Sequence, residues 1–450
     1  MYEYRTAHDI QEVLDYYAHL ENGEHSGDVE SVAGRVLSVR GQGRAFFADL
    51  YGRTGHIQVF FREDMTQGYQ NVVDIHVGTI IGITGQVIRT RRGELSIIPT
   101  TYDILIQPQA TFPDTYHGLV DTETRYRQRH LDFALSEDNR RVLIDRGRII
   151  SAIRTYLDMQ RFLEVETPIL QSQASGATAE PFQTHHNTLD MDMFLRIAPE
   201  LWLRRLIIGG FERVYEIGRN FRNEGISRRH NPEFTMLEAY QAYTDMYGMI
   251  RLLEGLMNHL CDTLGNDIFT VNGNQISLRP PYRQVDMLDL VNEYLDGVIG
   301  YDTPLSLAAD IVRNNGVETS GSDIGTIIFD AYEALVEENL LEPTIVTGFP
   351  ASVSPLARPH RDNPIITERF EWIVGGIEYS NAYSELNDPA IQLANFETQG
   401  IVDEEYMNAL RYGFPPTGGI GIGIDRLVML LTGRDNIREV IAFPTLRPRG

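Results

Sequence analysis

The chain has 450 residues, 42% hydrophobic and 23% charged, which suits a folded protein large enough for two domains and excludes a disordered one. A net charge of −24 argues against general attraction to polyanions, and the single cysteine, Cys261, excludes an intrachain disulfide framework or a cysteine metal cluster. No apolar run approaches the ~18 residues of a membrane span, and the opening "MYEYRTAHDIQEVL" lacks a basic-then-apolar signal pattern, so a cytoplasmic location is expected. All 39 basic residues other than histidine are arginine, and the chain contains no lysine.

In chain order, residues 1–30 read as a short helical extension. Residues 31–110 alternate apolar and polar positions between Gly-rich turns. Some five short strands over that span predict a small closed barrel of the OB type. The Pro-marked and then charged stretch 111–135 reads as a linker. From 136 to 450 the patterns predict one large α+β domain. It opens on a helix near 140–162, and "LEVETPIL" follows as a strand halted by Pro168. Strands and helices alternate to about 260, and 282–345 reads as a helical insertion. Strands then return, and the last one runs into the apolar helix "RLVMLLT".

Three patterns carry chemistry. In "GGIGIGIDRLVMLL" (418–431), Gly419, Gly421 and Gly423 share one strand face and the isoleucines the other. A face of hydrogens suits close approach of a flat ligand or another backbone, and Arg426 follows at a helix start, where N–H groups and a guanidinium can meet phosphate. In "ERVYEIGRNFRNEGISRRHNPEFTMLEAYQAY" (212–243), two alternating strands flank a basic loop. The second strand puts Phe234, Met236, Glu238 and Tyr240 on one face, poor material for a core and good lining for a pocket. In "ERFEWIVGGIEYSNAYSELND", Glu371 and Glu378 flank a Gly-Gly turn, an arrangement suited to a hard divalent cation. The plainer readings are close packing, a solvated charged hairpin and two surface glutamates.

Together these segments resemble motifs 2 and 3 of the class II aminoacyl-tRNA synthetases, with the metal-binding strand between them, and "GRIISAIRTYLDMQRFLEVETPIL" resembles motif 1. "HGLVDTETRYRQRHLDF", "LRIAPELWLRRLIIGGFERVYEIGRNFRNEGISRRHNPEFTMLEAYQAY" and "SELNDP" are similar to class II lysyl-tRNA synthetases in particular. The resemblance runs from about residue 31 to the C-terminus. It implies an OB domain that reads the anticodon, followed by an antiparallel sheet flanked by helices. The implied reaction joins lysine to ATP as an adenylate and passes the acyl group to tRNA-Lys, with Mg²⁺, in a homodimer away from any membrane.

By position, the resemblance implies that Arg222 and Arg426 clamp phosphates and that Phe234 stacks on adenine. Glu224, His230, Asn231, Gly421 and Gly423 complete the ATP site, and Glu371 and Glu378 are the Mg²⁺ ligands. Gly176, Glu200, Glu238, Tyr240, Ser380, Asn381, Tyr383 and Glu385 fall on the amino-acid site, where carboxylates would balance a buried ammonium. In the barrel, Phe47, Gln58, Glu94 and Arg40 fall on the anticodon site.

Several positions depart from the family. The N-terminal helix is shortened and acidic. Glu180 stands at a usually basic position, and Arg161, Ser380 and Ala382 stand at usual glycines. Ala239 replaces a larger residue, and Tyr383 a phenylalanine. These departures leave open a relative that activates another amine-bearing amino acid, such as a β-amino acid, and modifies a protein. A non-enzymatic relative is disfavoured by the intact arginines. On a regular strand Glu378 would face away from Asn381, Tyr383 and Glu385, so a bend near Ser380 is expected if all four line one cavity.

Overall fold

The computed structural model describes residues 3–53, 55–114, 118–173, 179–400 and 402–448. The chain divides into two compact units, 1–142 and 143–450. Among the described residues no helix is long and apolar enough to cross a membrane.

The first unit is a closed five-stranded barrel. After α1 (Ile10–Tyr16) come β1 (His25–Gln42), β2 (Ala45–Tyr51), β3 (His56–Arg62), β4 (Ile80–Arg89) and β5 (Leu95–Ile106), in the order β1-β2-β3-β5-β4. Strand β1 therefore begins within the segment expected as the helical extension. Alternation sends Val36, Ala48, Leu50, Ile57, Val59 and Phe61 inward, where Ile10 and Val13 of α1 join them. Phe47 and Asp49 take the other parity and face outward. The expected linker holds two short helices, α2 (Thr122–Arg127) and α3 (Arg129–Leu135).

Helix α4 (Glu137–Met159) carries the chain into the second unit. It ends through a turn in which Arg161 has φ +61°, with Phe162 N donating back to Leu157 O at 3.0 Å. A left-handed position of this kind favours glycine, the residue the resemblance leads one to expect there.

Next come β6 (Leu163–Glu164), β7 (Leu170–Gln171), β8 (Gln183–His186), β9 (Met191–Leu195), α5 (Glu200–Ile208), β10 (Arg213–Phe221) and β11 (Glu233–Ala242). Helix α6 (Met246–Leu264) is capped at one end by Asp245 and at the other by the left-handed Gly265. The hairpin β12 (Ile268–Val271) and β13 (Asn274–Ser277) leads to β14 (Arg283–Asp286), α7 (Met287–Tyr294), α8 (Leu305–Asn314), α9 (Ile324–Ala331) and β15 (Thr344–Thr347). The chain closes with β16 (Arg369–Val374), β17 (Ile377–Ser384), α10 (Pro389–Gln399), α11 (Glu404–Leu410), β18 (Thr417–Gly423), α12 (Ile424–Thr432) and α13 (Ile437–Val440).

The central sheet has eight strands in the order β14-β15-β16-β17-β18-β11-β10-β6. It is antiparallel except at its two edges, where β14/β15 and β6/β10 run parallel. The expected helical insertion is thus rooted in the sheet: its first segment is the edge strand β14 and its last runs into β15, the strand beside it. Its helices bury a core of their own, including Leu290, Val312, Ile328 and Val336.

Candidate active site

The centre of the sheet builds the site. Strand β18 lies between β11 and β17, with Gly419 opposite Tyr240 and Tyr383, and Gly421 opposite Glu238 and Asn381. One face therefore presents two phenols around the bare Gly419, and a carboxylate and an amide around Gly421. The other face presents the buried Ile420 and Ile422 to the core. A Cβ on Gly419 would overlap Glu385 Oε1 and meet the Tyr240 ring at 2.6 Å, whereas one on Gly421 would meet only Met236 Cε at 3.3 Å. The glycine face is open because the pocket needs the space.

Strands β16 and β17 slip register by one residue. Trp372 pairs with Ser380 and Ile373 with Glu378, leaving Tyr379 as the extra residue of a bulge. The bulge inverts side-chain parity, so Glu378 comes round to the face of Asn381 and Tyr383. This is the expected bend, one residue before Ser380.

Parity also corrects one expectation. Ser380 lies opposite Ile422 and Trp372 on the core face, fully buried with no hydrogen-bond partner for its hydroxyl, and lines neither cavity. It is not an amino-acid contact. Ala382 and Ala239 both lie opposite Ile420 on that same face. Of the substitutions in these strands, Tyr383 alone faces the pocket.

Two adjoining cavities open on the glycine face. The larger, about 880 Å³, is lined by Glu200, Glu238, Tyr240, Asn381, Tyr383, Glu385 and Glu180 among others. Gly176 lies outside the described residues. Glu200, Glu238 and Glu385 are deeply buried, whereas Glu180 is exposed. Burial, with Glu200 adding to it and the Tyr240 hydroxyl (3.1 Å) opposing, lifts Glu238 to about 8. Burial likewise raises Glu200 and Glu385, with Arg204 opposing both. Glu200 also accepts a hydrogen bond from the Tyr383 hydroxyl. Such a group of buried acids calls for cationic charge.

The smaller cavity, about 430 Å³, is lined by Arg229, His230, Asn231, Phe234, Glu371, Glu378, Gly423 and Arg426. Arg426 donates from Nη1 to Glu378 O at 2.8 Å, and its Nη2 lies 3.0 Å from His230 Nε2. A guanidinium can only donate, so Nε2 accepts and the His230 proton sits on Nδ1, 2.9 Å from Ser227 Oγ. Partial desolvation and the neighbouring Arg426 lower His230, which keeps the ring neutral. Asp425 fixes the start of α12: it accepts from Arg146 Nη1 at 2.6 Å and from Thr235 N at 2.7 Å. Gly423 caps that helix without a side chain, leaving its first N–H groups open to a ligand.

Glu371 and Glu378 share this cavity, and burial lifts Glu371 to about 8, with Arg369 opposing and Glu378 adding to it. A buried carboxylate, Glu371, and a half-buried one, Glu378, repel each other and are hard oxygen donors that a divalent cation would relieve. The residues present would suit Mg²⁺, with Glu371 and Glu378 as its protein ligands.

The cavities meet at Arg222, Glu224, Met236, Arg369, Asn381 and Gly421, which line both. Arg222 Nε is buried without a hydrogen-bond partner, and its guanidinium carbon stands 5.2 Å from the centre of the Phe234 ring. Sequence reasoning missed Arg369, which donates to Asn381 Oδ1 (3.1 Å), Ser354 Oγ (2.9 Å) and Glu371 Oε1 (2.6 Å) and so ties the two cavities together. Its place two residues from Glu371 on one strand was the available signal. Arg204 was missed too, although it lies one helical turn after Glu200.

In the barrel, Phe47 lies opposite Arg40 and Phe60, and Asp49 opposite Ser38 and Gln58, on the outward face. The Phe47 and Phe60 rings stack at 4.4 Å and 8°. Gln58 is buried and accepts from Ser96 Oγ at 3.1 Å. Arg40 pairs with Asp49 at 2.7 Å, and Glu94 is exposed at the start of β5. Phe60 was not anticipated, since the doubled phenylalanine of "VFF" does not say which ring points out.

The family model described as tRNA synthetases class II (D, K and N) matches residues 121–447, and that of the OB-fold nucleic acid binding domain matches 30–105. The chain is similar to the lysine–tRNA ligase of Moorella thermoacetica, 45% identical over 95% of this chain and 90% of that protein. It is similar to that of Bacillus subtilis at 43%, over 99% and 93%. The Fervidobacterium nodosum lysine–tRNA ligase is 43% identical over 100% of this chain and 90% of its own length.

Proposed function

The chain belongs to the class II lysyl-tRNA synthetases, and on that premise we propose that the larger cavity takes lysine and the smaller one ATP. The protein is a lysine–tRNA ligase. A carboxylate oxygen of lysine attacks the α-phosphorus, the bond to pyrophosphate breaks, and lysyl-adenylate forms. A terminal ribose hydroxyl of tRNA-Lys then attacks the acyl carbon, losing its proton, and AMP departs with the bonding electrons.

One observation carries the assignment of the two cavities: Arg222, with a buried Nε lacking a partner, stands where the acid-lined cavity meets the arginine-lined one. A guanidinium there is positioned for the α-phosphate, whose charge grows as lysine attacks. Glu200, Glu238 and Glu385, with Tyr240 and Tyr383, bind the ammonium groups, and Asn381 orients the amino acid beside Arg369. Phe234 provides the face for adenine, and Glu224, His230, Asn231, Gly421 and Gly423 shape the rest of the nucleotide site. Arg426 meets the distal phosphates. Mg²⁺ held by Glu371 and Glu378 would neutralise triphosphate charge.

The Phe47–Phe60 stack on the barrel, with Arg40, Gln58 and Glu94 nearby, supports single-stranded readout of an anticodon and hence tRNA as acceptor. Exposed Met159, Leu163, Ile169 and Leu170 in the motif 1 segment support pairing with a second copy of the chain. The lone buried cysteine accords with a reducing cytoplasm. The test is ATP–pyrophosphate exchange across a panel of amino acids. Lysine should drive it and Glu238→Ala should abolish it; exchange driven by another amino acid and not by lysine overturns the substrate assignment.

A further inference from the structure

Behind the carboxylates of the acid-lined cavity lies a buried cation that is not part of the cavity wall. Arg204, on α5, is fully buried and bridges two of the three carboxylates: Nη2 lies 2.6 Å from Glu200 Oε1 and pairs also with Glu385 Oε2. The guanidinium is held from behind by the Tyr406 hydroxyl and Leu356 O, each 3.2 Å away, and its central carbon stands 5.9 Å from the Tyr383 ring centre. The ionisable groups facing it are thus Glu200 from α5, Glu385 beyond β17, Tyr383 from β17 and Tyr406 from α11. Glu238 and Tyr240 of β11 stand further along the same cavity. Burial works against the charge of Arg204, but Glu385 and Glu200 outweigh it and keep the guanidinium protonated. Glu385 Oε1, the oxygen that points toward the bare Gly419, has no hydrogen-bond partner.

We propose that Arg204 is a positioning residue that supplies one counter-charge to the pair Glu200 and Glu385, so that the pair keeps one negative charge for the side-chain amine of the amino acid. Lysine brings an α-ammonium and an ε-ammonium. Arg204 also turns Glu385 so that one oxygen is ion-paired with the guanidinium and the other is left for the incoming amine. A neutral side chain leaves one buried carboxylate without a counter-charge, which low-dielectric surroundings penalise.

The inference rests on the lysine reading above, and wild-type pyrophosphate exchange with lysine tests that reading first. Arg204→Met, Arg204→Lys, Glu385→Gln and the double variant Arg204→Met/Glu385→Gln are then compared in the full-length chain. The measurements are exchange kinetics and proton release on lysine binding, the latter by calorimetry in buffers of different ionisation enthalpy. Arg204→Met should raise the KM for lysine at pH 7 by about tenfold and release close to one more proton than wild type, with kcat changed less than about threefold. Arg204→Lys should keep the wild-type proton count.

Glu385→Gln leaves two carboxylates and one built-in cation, so it should favour norleucine, which lacks the ε-amine, over lysine. Removing Arg204 from that variant should restore lysine kcat/KM by about tenfold. A purely structural Arg204 would make the double variant worse than Glu385→Gln, and that result overturns the proposal. So does an Arg204→Lys enzyme that folds and binds ATP yet matches wild type in neither proton release nor lysine KM.

Discussion

The Tyr383 hydroxyl lies 3.0 Å from each carboxylate oxygen of Glu200. A phenol has one proton, so it donates to one oxygen at a time, and a hydrogen bond to a charged acceptor is worth roughly 1.5–3 kcal/mol. Tyr383→Phe should therefore raise the KM for lysine about tenfold while kcat stays within about twofold. Exchange kinetics over a lysine titration check this. An unchanged KM would mean that the phenol orders the helix and not the substrate.

Glu238 makes lysine binding depend on pH in a definite direction. Its carboxyl is pushed up to about 8 in the empty pocket, by burial first and by Glu200 second. The group is protonated below that value, and an ammonium partner requires it ionised, so binding expels a proton. The KM for lysine should fall by up to about tenfold per pH unit between pH 6 and 8, then level off. Glu238→Gln should flatten the profile as well as weaken binding. A KM independent of pH over that range would contradict the placement of Glu238 beside the amine.

The glycines of β18 are unequal. Gly419→Ala puts a methyl group into Glu385 and the Tyr240 ring, two rigid pocket walls, whereas Gly421→Ala meets the flexible end of Met236. The first should cost at least about a hundredfold in kcat/KM for lysine and leave ATP affinity intact. The second should cost about tenfold or less. Calorimetric ATP binding alongside exchange kinetics separates the two effects.

Arg161 carries a backbone cost unrelated to catalysis. At φ +61° a side chain is strained, and Arg161→Gly should stabilise the chain by about 1 kcal/mol. Chemical denaturation monitored by tryptophan fluorescence reads this directly. A loss of stability would show that the arginine side chain contributes more than the turn costs.

Strand alternation in the sequence was enough to place Glu238, Tyr240 and the glycines on one face, because β11 and β18 are regular. It failed at β17, where a single extra residue at Tyr379 reverses the parity on one side of the bulge. The resemblance puts Ser380 among the amino-acid contacts, yet a strand neighbour of Asn381 faces the opposite side. The edge strand β14 and its neighbour β15 have four residues each, too few to stand out from the helical pattern around them. Arg204 and Arg369 were hidden for a different reason: an arginine becomes part of a site through what it pairs with, and those partners come together only in the folded sheet.

The bulge at Tyr379 also divides β17 into two independently adjustable halves. Upstream, Glu378 lines the smaller cavity; downstream, Asn381 lines both, and Tyr383 and the following Glu385 line the larger one. Side chains on the downstream half can be exchanged without moving the backbone that holds Glu378 against Arg426. A new amine preference is therefore open to substitution on one short segment, with the adenylate-forming machinery inherited unchanged.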